Sequence, residues 1–477
     1  MNAEYPFLVD GQWRQSARSL EVTSPYDGEV AGITYQASPE DVEGAIQAAT
    51  RAFEITKRLP THNRAEILEK TVAGLKSRRE EIARVIALEA GKPMKNARGE
   101  VTRAIATFTD AVEECKRLRG EWLPLDLDAA SEGRHGLVRR FPLGPVAAIT
   151  PFNFPLNLVS HKVAPALACG CSLVLKPATK TPLTALLLAR IVTEAGAPPG
   201  MLNVLPCASR DAQPLITDDR LKLLTFTGSA PVGWGLKALA GKKRVALELG
   251  GNAGVAVHSD ADLDYAAQRC VMGGFAYAGQ ACISVQRIYV HRPVFDAFAA
   301  KLVALTARLK LGNPLDEATD VGPMISLEEA QRAQKWVQEA VAQGAKILLG
   351  GGRDGLIMHP TILTSTRPAM RVCCQELFAP VVTLEPYDDF RQAVHAINDS
   401  AYGLQAGIFT RDVQAIFSAF EELEVGGLLM NDVPTWRSDP MPYGGMKDSG
   451  NGREGVRYAM EEMTERKILV FHLTGNP

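Results

Sequence analysis

The first long stretch with a clear hydrophobic pattern runs from Pro39 to about Arg119. It is rich in alanine and charged residues, and its apolar residues recur every three or four positions, as at Ala45, Ala49 and Phe53. That period places the apolar residues on one face of a helix. The pattern therefore predicts an all-helical region near the start of the chain.

Beyond this region, short apolar runs alternate with stretches of helical period. One such stretch, Pro182–Ala195, has proline at its start, as many helices do. Strands that alternate with helices predict a parallel α/β sheet, which binds nucleotides at the carboxyl ends of its strands. The strands predicted in this half of the chain are Leu137–Phe141, Val146–Thr150, Ser172–Lys176, Leu202–Leu205, Leu223–Thr227 and Arg244–Glu248.

After Gly251 the alternation starts again, which predicts a second α/β domain that reaches to about Gly450. The run Arg466–His472 has the pattern of a strand outside both domains. Together with the strand Leu137–Phe141 it would form an arm that pairs with another subunit, and the alternative is an ordinary edge strand. The elements predicted in the second domain are the strands Val285–His291 and Lys346–Leu349 and the helices Pro293–Leu309 and Ser326–Gln343.

Composition and charge narrow the classes of protein. The chain has 477 residues, 46% of them hydrophobic and 22% charged, with a net charge of −2. This is enough for two or three domains with substantial cores, without the surplus positive charge of proteins that bind nucleic acid or anionic membranes. The start of the chain lacks the basic and apolar regions of a signal peptide, and no uncharged apolar run reaches the roughly 20 residues that span a bilayer. We expect a cytoplasmic protein that binds neither nucleic acid nor membrane.

Cysteine and histidine usage argues against a metal site. The eight cysteines are dispersed and lack the paired spacing of zinc sites, and the eight histidines show no metal-ligand spacing. Free cysteines are typical of a reducing compartment. The sequence therefore predicts no bound metal.

One cysteine suggests chemistry. Cys282 ends the segment Phe275–Cys282, whose small residues and Gly279 permit a tight bend. Upstream, Glu248 is a lone carboxylate in the apolar run Leu247–Gly251. A thiol nucleophile and a carboxylate base are what thioester formation and hydrolysis require. The two segments indicate an enzyme that attacks a carbonyl group.

Two further motifs suit a nucleotide, and each has a plain structural alternative. Gly228 and Ser229 follow a predicted strand and open a helix, where backbone N–H groups favour phosphate. Many strand-to-helix turns contain glycine and serine, so this motif alone is weak evidence. Lys176 ends a buried strand, where it would hold ribose hydroxyls or phosphate, or would merely leave the core.

Two loops carry single polar groups among apolar neighbours. Asn153 lies between aromatic residues and prolines, and its side chain would either donate to an oxyanion beside Cys282 or form a turn. Glu376 would accept from ribose hydroxyls while Phe378 packs on a flat ring. The alternative for Glu376 is a surface acid in a loop.

Taken in order, these motifs resemble those of the NAD(P)-dependent aldehyde dehydrogenase superfamily, and the match extends over nearly the whole chain. Any one motif is moderate evidence, whereas the ordered set is very specific. The anchors are Pro151–Pro155, Lys176–Ala178, Phe226–Ser229, Glu248–Gly251, Gly279–Cys282, Glu376–Pro380 and Pro442–Lys447.

The resemblance implies the architecture and the assembly. The fold class would be α/β, an aldehyde dehydrogenase-like fold with two Rossmann-like parallel domains and a small β oligomerisation arm. Residues 1–121 and 143–250 would form the NAD(P)-binding domain, residues 251–450 the catalytic domain, and residues 122–142 with 463–477 the arm. The protein would be a homo-oligomer, either a dimer or a homotetramer.

The resemblance also implies roles for individual residues. Cys282 would attack the aldehyde, Asn153 and the backbone N–H of Cys282 would form the oxyanion hole, and hydride transfer to NAD or NADP would leave a thioester. Glu248 would activate the water that hydrolyses it. The residues expected to hold the cofactor are Thr150, Phe152, Lys176, Thr179, Gly228, Ser229, Leu249, Glu376 and Phe378.

Thr179 departs from the pattern of many NAD-selective members, which carry a glutamate that binds the adenosine ribose at this position. Losing that carboxylate removes repulsion toward a 2′-phosphate, and Lys180 is adjacent. We therefore expect the protein to accept NADP as well as NAD.

The substrate is the least determined part of the prediction. By the family pattern, Arg103, His161 and Arg437 lie along the substrate tunnel, and arginines there favour an aldehyde with a carboxylate, a phosphate or several hydroxyls. Surface ion pairs are the alternative for Arg103 and Arg437. Ala281 is neutral where relatives with phosphorylated or dicarboxylic substrates often carry arginine, which counts against an anion. We expect a small polar aldehyde such as lactaldehyde or glyceraldehyde, or a semialdehyde.

Two other functions remain open at this point. A CoA-acylating semialdehyde dehydrogenase would form the same thioester and release it to CoA, but such relatives commonly lack the base that Glu248 supplies. A non-enzymatic, crystallin-like structural protein would keep the fold and lose the nucleophile or the base. Both Cys282 and Glu248 are present, which favours hydrolytic aldehyde oxidation.

Overall fold

The computed structural model describes residues 3–473, so the last four residues of the predicted arm, 474–477, and the first two residues of the chain lie outside the described residues. The all-helical prediction is confirmed, since four helices follow one another and end at Lys116. Five short strands of two to six residues, which were not predicted from the sequence, precede them. The first elements are β1 (Glu4–Tyr5), β2 (Phe7–Val9), β3 (Gln12–Arg14), β4 (Ser19–Thr23), β5 (Val30–Tyr35), α1 (Pro39–Thr56), α2 (Thr61–Ser77), α3 (Arg79–Ala90) and α4 (Met94–Lys116).

The middle of the chain alternates strands and helices as predicted. The strand Leu223–Thr227 and the strand Arg244–Glu248 have the predicted bounds, and the helix predicted from Pro182 begins one residue later, with Pro182 as its N-cap. The elements are β6 (Glu121–Pro124), β7 (Arg134–Pro142), β8 (Val146–Ile149), α5 (Asn157–Cys169), β9 (Leu173–Lys176), α6 (Leu183–Glu194), β10 (Leu202–Val204), α7 (Gln213–Thr217), β11 (Leu223–Thr227), α8 (Ala230–Leu239) and β12 (Arg244–Glu248).

The rest of the chain builds a second α/β unit and returns to the first. The predicted helix from Pro293 begins at Phe295, after a short 3₁₀ turn that contains the proline. The elements are β13 (Ala253–Val257), α9 (Leu263–Phe275), β14 (Val285–His291), α10 (Phe295–Thr306), α11 (Leu327–Ala342), β15 (Lys346–Leu349), β16 (Arg353–Asp354), β17 (Ile357–Met358), β18 (Thr361–Thr364), α12 (Arg371–Cys374), β19 (Val381–Tyr387), α13 (Phe390–Asn398), β20 (Tyr402–Gly403), β21 (Gln405–Phe409), α14 (Val413–Glu422), β22 (Gly427–Met430), β23 (Met446–Lys447), β24 (Gly450–Asn451), α15 (Val456–Glu462) and β25 (Thr464–His472).

The first large sheet has eight strands in the order β24-β12-β11-β8-β9-β10-β2-β3. Its five central strands, β12, β11, β8, β9 and β10, are parallel to one another. At the edges, β24 pairs antiparallel with β12, β2 pairs antiparallel with β10, and β3 pairs antiparallel with β2. Strands β8, β9 and β11 are buried almost throughout, as expected for a parallel sheet covered on both faces. This confirms the predicted parallel α/β sheet in the first half of the chain.

The second large sheet has seven strands in the order β15-β18-β19-β14-β13-β21-β22. All neighbouring pairs are parallel except β15 with β18. Its buried side chains form a core separate from that of the first sheet. The chain passes from one sheet to the other between Glu248 and Ala253, close to the predicted restart at Gly251.

A third, smaller sheet contains β6, β7 and β25, all antiparallel. Thr464 to His472 pairs with Pro142 to Arg134 over nine residue pairs, so the two strands predicted to form an arm do pair with each other. Exposed apolar side chains, including Trp122 and Leu469, cover part of it. No helix among residues 3–473 is long and apolar enough to cross a membrane.

Candidate active site

A cavity of about 380 Å³ lies where the two large sheets meet. The carboxyl ends of β11 and β12 reach it from the first sheet, and the segments that precede β14 and β19 reach it from the second. The cavity thus lies at strand ends, where open α/β sheets bind ligands. Its lining includes the catalytic candidates Asn153, Glu248 and Cys282 and the cofactor candidates Phe152, Gly228, Ser229, Leu249, Glu376 and Phe378.

The segment before Cys282 bends as tightly as its small residues suggest. Tyr277, Ala278 and Gly279 have φ values of 50°, 52° and 67°, three left-handed residues in succession. This conformation costs an L-residue about 1–2 kcal/mol, so it must be held by its surroundings. The Tyr277 hydroxyl donates to the carbonyl of Ala90 at 3.0 Å, and a Cβ on Gly279 would lie 2.3 Å from the carbonyl oxygen of Ala379. The bend brings Cys282 to the cavity wall.

The Cys282 thiol has one close polar neighbour. Its Sγ lies 2.9 Å from the hydroxyl of Tyr443, a buried side chain of the motif Pro442–Lys447. Burial raises the pKa of Cys282 to about 12, although the hydrogen bond to Tyr443 acts in the opposite direction. The thiol is therefore protonated in this state, and attack on a carbonyl must be accompanied by loss of that proton.

Asn153 is positioned by both its side chain and its backbone. Its Nδ2 donates to the carbonyl of Gln280 at 3.1 Å, which brings the amide next to the Cys282 segment. Its backbone carbonyl accepts from Nζ of Lys92 at 2.6 Å. An amide has a second N–H, and a donor at this place can stabilise negative charge that develops on a carbonyl oxygen attacked by Cys282.

Glu248 ends β12 as a nearly buried carboxyl group. Its Oε2 has no hydrogen-bond partner among the described residues. Burial raises the pKa of Glu248 well above its usual value, and the negative charge of Glu454 raises it further. A carboxylate with a raised pKa is a stronger base, which suits proton removal from water.

A buried cluster of charges lies beside Glu248. Glu454 accepts from Nη2 of Arg437 at 3.0 Å and lies 3.7 Å from Nζ of Lys162. Burial alone would raise the pKa of Glu454, but the charges of His161, Arg437 and Lys162 outweigh it and hold the value at about 2. Glu454 therefore stays ionised, and Glu248 is the carboxyl group of this pair that carries a proton more readily.

The two glycines that follow Glu248 have packing roles. A Cβ on Gly250 would lie 2.3 Å from Oε2 of Glu376, and a Cβ on Gly251 would lie 2.2 Å from the carbonyl oxygen of Cys282. The Gly251 N–H donates to Oε1 of Glu376 at 2.8 Å. The segment after Glu248 approaches Cys282 and Glu376 this closely because both glycine positions lack a side chain.

The cofactor candidates separate into three groups in space. Burial raises the pKa of Glu376, in the main cavity, to about 7, against the effect of the Gly251 N–H. Thr150 and Lys176 are buried at the ends of β8 and β9 and do not line that cavity. Thr179 is exposed and lines, with Lys180, a second cavity of about 590 Å³. Glu329 and Arg332 of α11, which no motif marked, also line the main cavity.

The three substrate candidates are linked by Asp439, which the sequence did not mark. Its carboxylate accepts from Nη2 of Arg103 at 2.8 Å and contacts Nε2 of His161 at 2.9 Å. Arg437 Nη2 lies 3.2 Å from the same His161 nitrogen. Both arginines are therefore in ion pairs, Arg103 with Asp439 and Arg437 with Glu454, but the Arg437 side chain is buried rather than at the surface.

Tyr443 lies between Arg437 and Cys282 and contacts both. The centre of its guanidinium group is 3.7 Å from the centroid of the Tyr443 ring, whose hydroxyl contacts Cys282. Its Nε and the Nδ1 of His161 lack hydrogen-bond partners within residues 3–473. A buried donor without a partner costs about 1–3 kcal/mol, which a bound acceptor group would recover.

Sequence reasoning missed Lys162, Asp439, Tyr443 and Glu454 as parts of the site. Tyr443 and Glu454 lie in or near a motif that was recognised, so their proximity to it was the available signal. Asp439 is 336 positions from Arg103, and no local pattern connects them. Within the described part of the chain, no group of three or more His, Cys, Asp or Glu side chains is arranged to hold a metal ion.

Comparison with known proteins identifies the family. The model of the aldehyde dehydrogenase family matches residues 13–469. The 3-sulfolactaldehyde dehydrogenase of Priestia aryabhattai is 47% identical over 98% of both chains. The crystal structure of aldehyde dehydrogenase 21 from Physcomitrella patens in complex with the reaction product succinate has a TM-score of 0.98, with 48% identity over 100% of both chains. That of glyceraldehyde-3-phosphate dehydrogenase GapN from Methanocaldococcus jannaschii complexed with NADP has a TM-score of 0.92, with 41% identity over 96% of this chain and 99% of that one. With this overall agreement in sequence and fold, the chain belongs to the aldehyde dehydrogenase family.

Proposed function

We propose that the protein oxidises an aldehyde to a carboxylic acid by way of a Cys282 thioester, with NAD or NADP as the hydride acceptor. The observation that carries the proposal is one cavity lined by a thiol, an amide and a buried carboxyl group, Cys282, Asn153 and Glu248. These are the three groups that attack, charge stabilisation and hydrolysis require.

In the proposed steps the Asn153 amide and Glu248 each act once, whereas Cys282 first attacks and later leaves. Cys282 Sγ bonds to the aldehyde carbon as the thiol proton passes to solvent water, and the carbonyl oxygen becomes an oxyanion held by the Asn153 amide and the Cys282 N–H. As the oxyanion collapses to C=O, the carbon loses hydride and becomes a thioester. Glu248 then takes a proton from water, the water oxygen attacks the thioester, and the Cys282 thiolate leaves.

The cavity suits a nicotinamide cofactor, which supplies the hydride acceptor when it is bound. The N-terminus of the ten-residue helix α8 opens at Ser229, and its free N–H groups suit phosphate. Glu376 has one oxygen bonded to Gly251 and a second available for a ribose hydroxyl. Phe152 and Phe378 pack edge to face at 5.9 Å on the same wall. The remaining proposed contacts are Thr150, Lys176, Thr179, Gly228 and Leu249.

A panel of aldehydes, monitored for NADH and NADPH formation with and without CoA, tests the proposal. We expect reduced cofactor and free acid without CoA. A strict requirement for CoA would establish the acylating alternative, and no activity with any aldehyde would favour a structural protein. The panel should contain propanal, lactaldehyde, glyceraldehyde and succinic semialdehyde.

For the substrate we propose a small polar aldehyde, most specifically a semialdehyde. Arg437 supports this choice through its buried Nε, which has no partner among residues 3–473 although another nitrogen of the same guanidinium is paired with Glu454. Two of the relatives are named for anionic aldehydes, and the third was crystallised with the dicarboxylate succinate. Lactaldehyde and glyceraldehyde remain the candidates if hydroxyl groups rather than an anion are recognised.

Replacement of Arg437 by alanine should raise KM for succinic semialdehyde far more than KM for propanal. A hydrogen bond to a charged group is worth about 1.5–3 kcal/mol, so the loss in kcat/KM should be roughly tenfold to a hundredfold greater for the semialdehyde. Propanal is the internal control. Arg437 also forms an ion pair with Glu454, so any effect of the substitution on Glu248 should change the turnover of both aldehydes alike. Equal losses for the two aldehydes would place Arg437 outside the substrate site.

We propose that NADP is accepted as well as NAD, and Thr179 gives the test. Thr179→Glu places a carboxylate where a 2′-phosphate would lie, so KM for NADP should rise by about tenfold or more while KM for NAD stays nearly constant. Thr179→Gln is the matched control, because it adds the same bulk without charge. A wild-type preference for NAD on the order of a thousandfold, or equal effects of both variants, would contradict the proposal.

The assembly is proposed to be a homo-oligomer formed through the arm of β6, β7 and β25. Several large apolar side chains exposed on this small sheet support an interface there, since exposed apolar surface of this kind is typical of association sites. Sedimentation of the purified protein would decide between a dimer and a tetramer. The exposed residues are Trp122, Ile468, Leu469, Val470 and Leu473.

A further inference from the structure

Lys92 and Glu100 form a buried ion pair that the proposed chemistry does not use. Their side chains are 1% and 0% exposed, and Nζ of Lys92 donates to Oε2 of Glu100. Burial lowers the pKa of Lys92, and the charge of Glu100 opposes that shift. A buried ion pair is weak evidence for stability, because the cost of removing both charges from water offsets their attraction. The contacts of the pair with the active site are therefore informative.

Lys92 holds the backbone of the residue proposed as oxyanion donor. Its Nζ donates to the carbonyl oxygen of Asn153 at 2.6 Å. The same ammonium group lies 3.7 Å from the ring centroid of Phe154 and 4.4 Å from that of Tyr277. Cation–π contacts of this kind are stronger when the cation is desolvated, as it is here.

Glu100 holds the other end of the same loop. Its Oε1 accepts from the backbone N–H groups of Leu156 and Asn157 at 2.9 and 3.1 Å, where α5 begins. A carboxylate at the start of a helix satisfies N–H groups that have no partner within the helix. The loop between Asn153 and α5 is thus fixed at its first residue by Lys92 and at its last by Glu100.

The pair also joins this loop to the nucleophile segment. Tyr277 is the first of the three left-handed residues that precede Cys282, and its ring lies against the Lys92 ammonium. The Phe154 ring packs on Tyr277 edge to face, with centroids 6.4 Å apart. One buried cation therefore contacts the segment that carries the Asn153 amide and the segment that carries the Cys282 thiol.

We propose that Lys92 and Glu100 are positioning residues that set the Asn153 amide relative to Cys282 for oxyanion stabilisation. The inference rests on the proposed roles of Asn153 and Cys282. Neither residue of the pair lines the cavity, so neither is catalytic. A misplacement of about 1 Å can cost a hundredfold in rate, so loss of the pair should slow acylation and hydride transfer without changing cofactor affinity.

The test uses the variant Lys92→Met/Glu100→Gln. The glutamine keeps an oxygen for the N–H groups of Leu156 and Asn157, and the methionine fills the space of Lys92, so no unpaired charge remains buried. Thermal unfolding confirms that the variant is folded. In a single turnover with saturating cofactor and aldehyde, the rate of reduced-cofactor formation should fall by about tenfold to a hundredfold.

The decisive comparison repeats the pair variant in an Asn153→Ala background. Alanine at 153 keeps the backbone carbonyl that Lys92 holds and removes the amide that it positions. If the pair acts through Asn153, its replacement should have little further effect in this background. Equal losses in both backgrounds would overturn the positioning role and leave the role of Asn153 intact. A single-turnover rate unchanged by Asn153→Ala alone would overturn the proposed oxyanion hole, and the positioning role with it.

A matched surface pair serves as the control. Lys116, at the end of α4, forms an exposed ion pair with Glu69 at 2.9 Å. The variant Lys116→Met/Glu69→Gln removes an equivalent pair far from any contact with Asn153. It should leave the single-turnover rate unchanged, and a loss similar to that of the buried pair would show that the effect is not specific and so contradict the proposal.

Discussion

Replacing Cys282 by alanine is expected to abolish aldehyde oxidation while cofactor binding is retained. The nucleophile has no substitute, because Cys282 is the only cysteine among residues 3–473 that lines the cavity with Asn153 and Glu248. Deleting a nucleophile lowers kcat by at least about 10⁵-fold in comparable enzymes. The measurements are steady-state NADPH formation with a semialdehyde and a fluorescence titration with NADPH.

Thiol labelling with iodoacetamide is an independent test of the role of Cys282. Cys374 is exposed, so it should react with iodoacetamide in the wild type, whereas most of the other thiols are buried. The control is the Cys374→Ser variant. It should be active before treatment and should lose activity as iodoacetamide alkylates Cys282. Because burial raises the pKa of Cys282 to about 12, alkylation should accelerate as the pH rises toward that value.

Residual turnover by Cys282→Ala within a hundredfold of the wild type would exclude the thioester route.

Replacing Glu248 by glutamine is expected to separate the two halves of the reaction. Acylation and hydride transfer do not use the carboxylate, so a burst of about one reduced cofactor per active site should appear. Turnover after the burst should fall by about 10²–10⁴-fold, the usual contribution of a general base. Stopped-flow fluorescence of the reduced cofactor measures both phases.

The pH dependence of the wild type supports the same test. Burial, and then the charge of Glu454, raise the pKa of Glu248, so deacylation should increase as the pH rises through that raised pKa and the carboxylate ionises. The Glu248→Gln variant should lose this dependence. Once the burst is complete and free aldehyde has been removed, hydroxylamine, which cleaves thioesters without a protein base, should release the acyl group from the variant as a hydroxamate. If the burst disappears along with turnover, Glu248 acts before the thioester forms, and the proposed role is wrong.

Much of the scaffold follows from local patterns. The strand Leu223–Thr227 was predicted with correct bounds because a buried parallel strand is a nearly continuous apolar run between turn residues, and Val285–His291 was predicted correctly although Gln286 and Arg287 interrupt its apolar run. The short strands β1 to β3 were not predicted, because two or three residues are too few to show an alternation of apolar and polar positions. The motifs around Asn153, Glu248 and Cys282 predicted residues that line one cavity, because each motif is short and lies at a strand end or a tight loop.

The rest of the site depends on contacts between distant positions. Tyr443 reaches Cys282 across 161 positions, and Asp439 reaches His161 across 278. Lys92 has the sequence pattern of an ordinary lysine before a proline, and only the fold reveals its contact with the Asn153 carbonyl. Thr179 lines a different cavity from Glu376, although both were assigned to the cofactor. Pattern reasoning identifies local segments, whereas such pairings are set by tertiary packing.

The side chains proposed to contact the substrate and the carboxyl group proposed as the base belong to different parts of the fold. Asp439 and Arg437 come from one loop, and His161 comes from one face of α5, whereas Glu248 lies at the end of a sheet strand. Arg437 also pairs with Glu454, whose charge acts on Glu248, so only exchanges that spare Arg437 and Asp439 leave the sheet-borne base undisturbed. For directed evolution, a library confined to residues 435, 436, 438 and 441 therefore samples new substrates at the lowest risk to turnover.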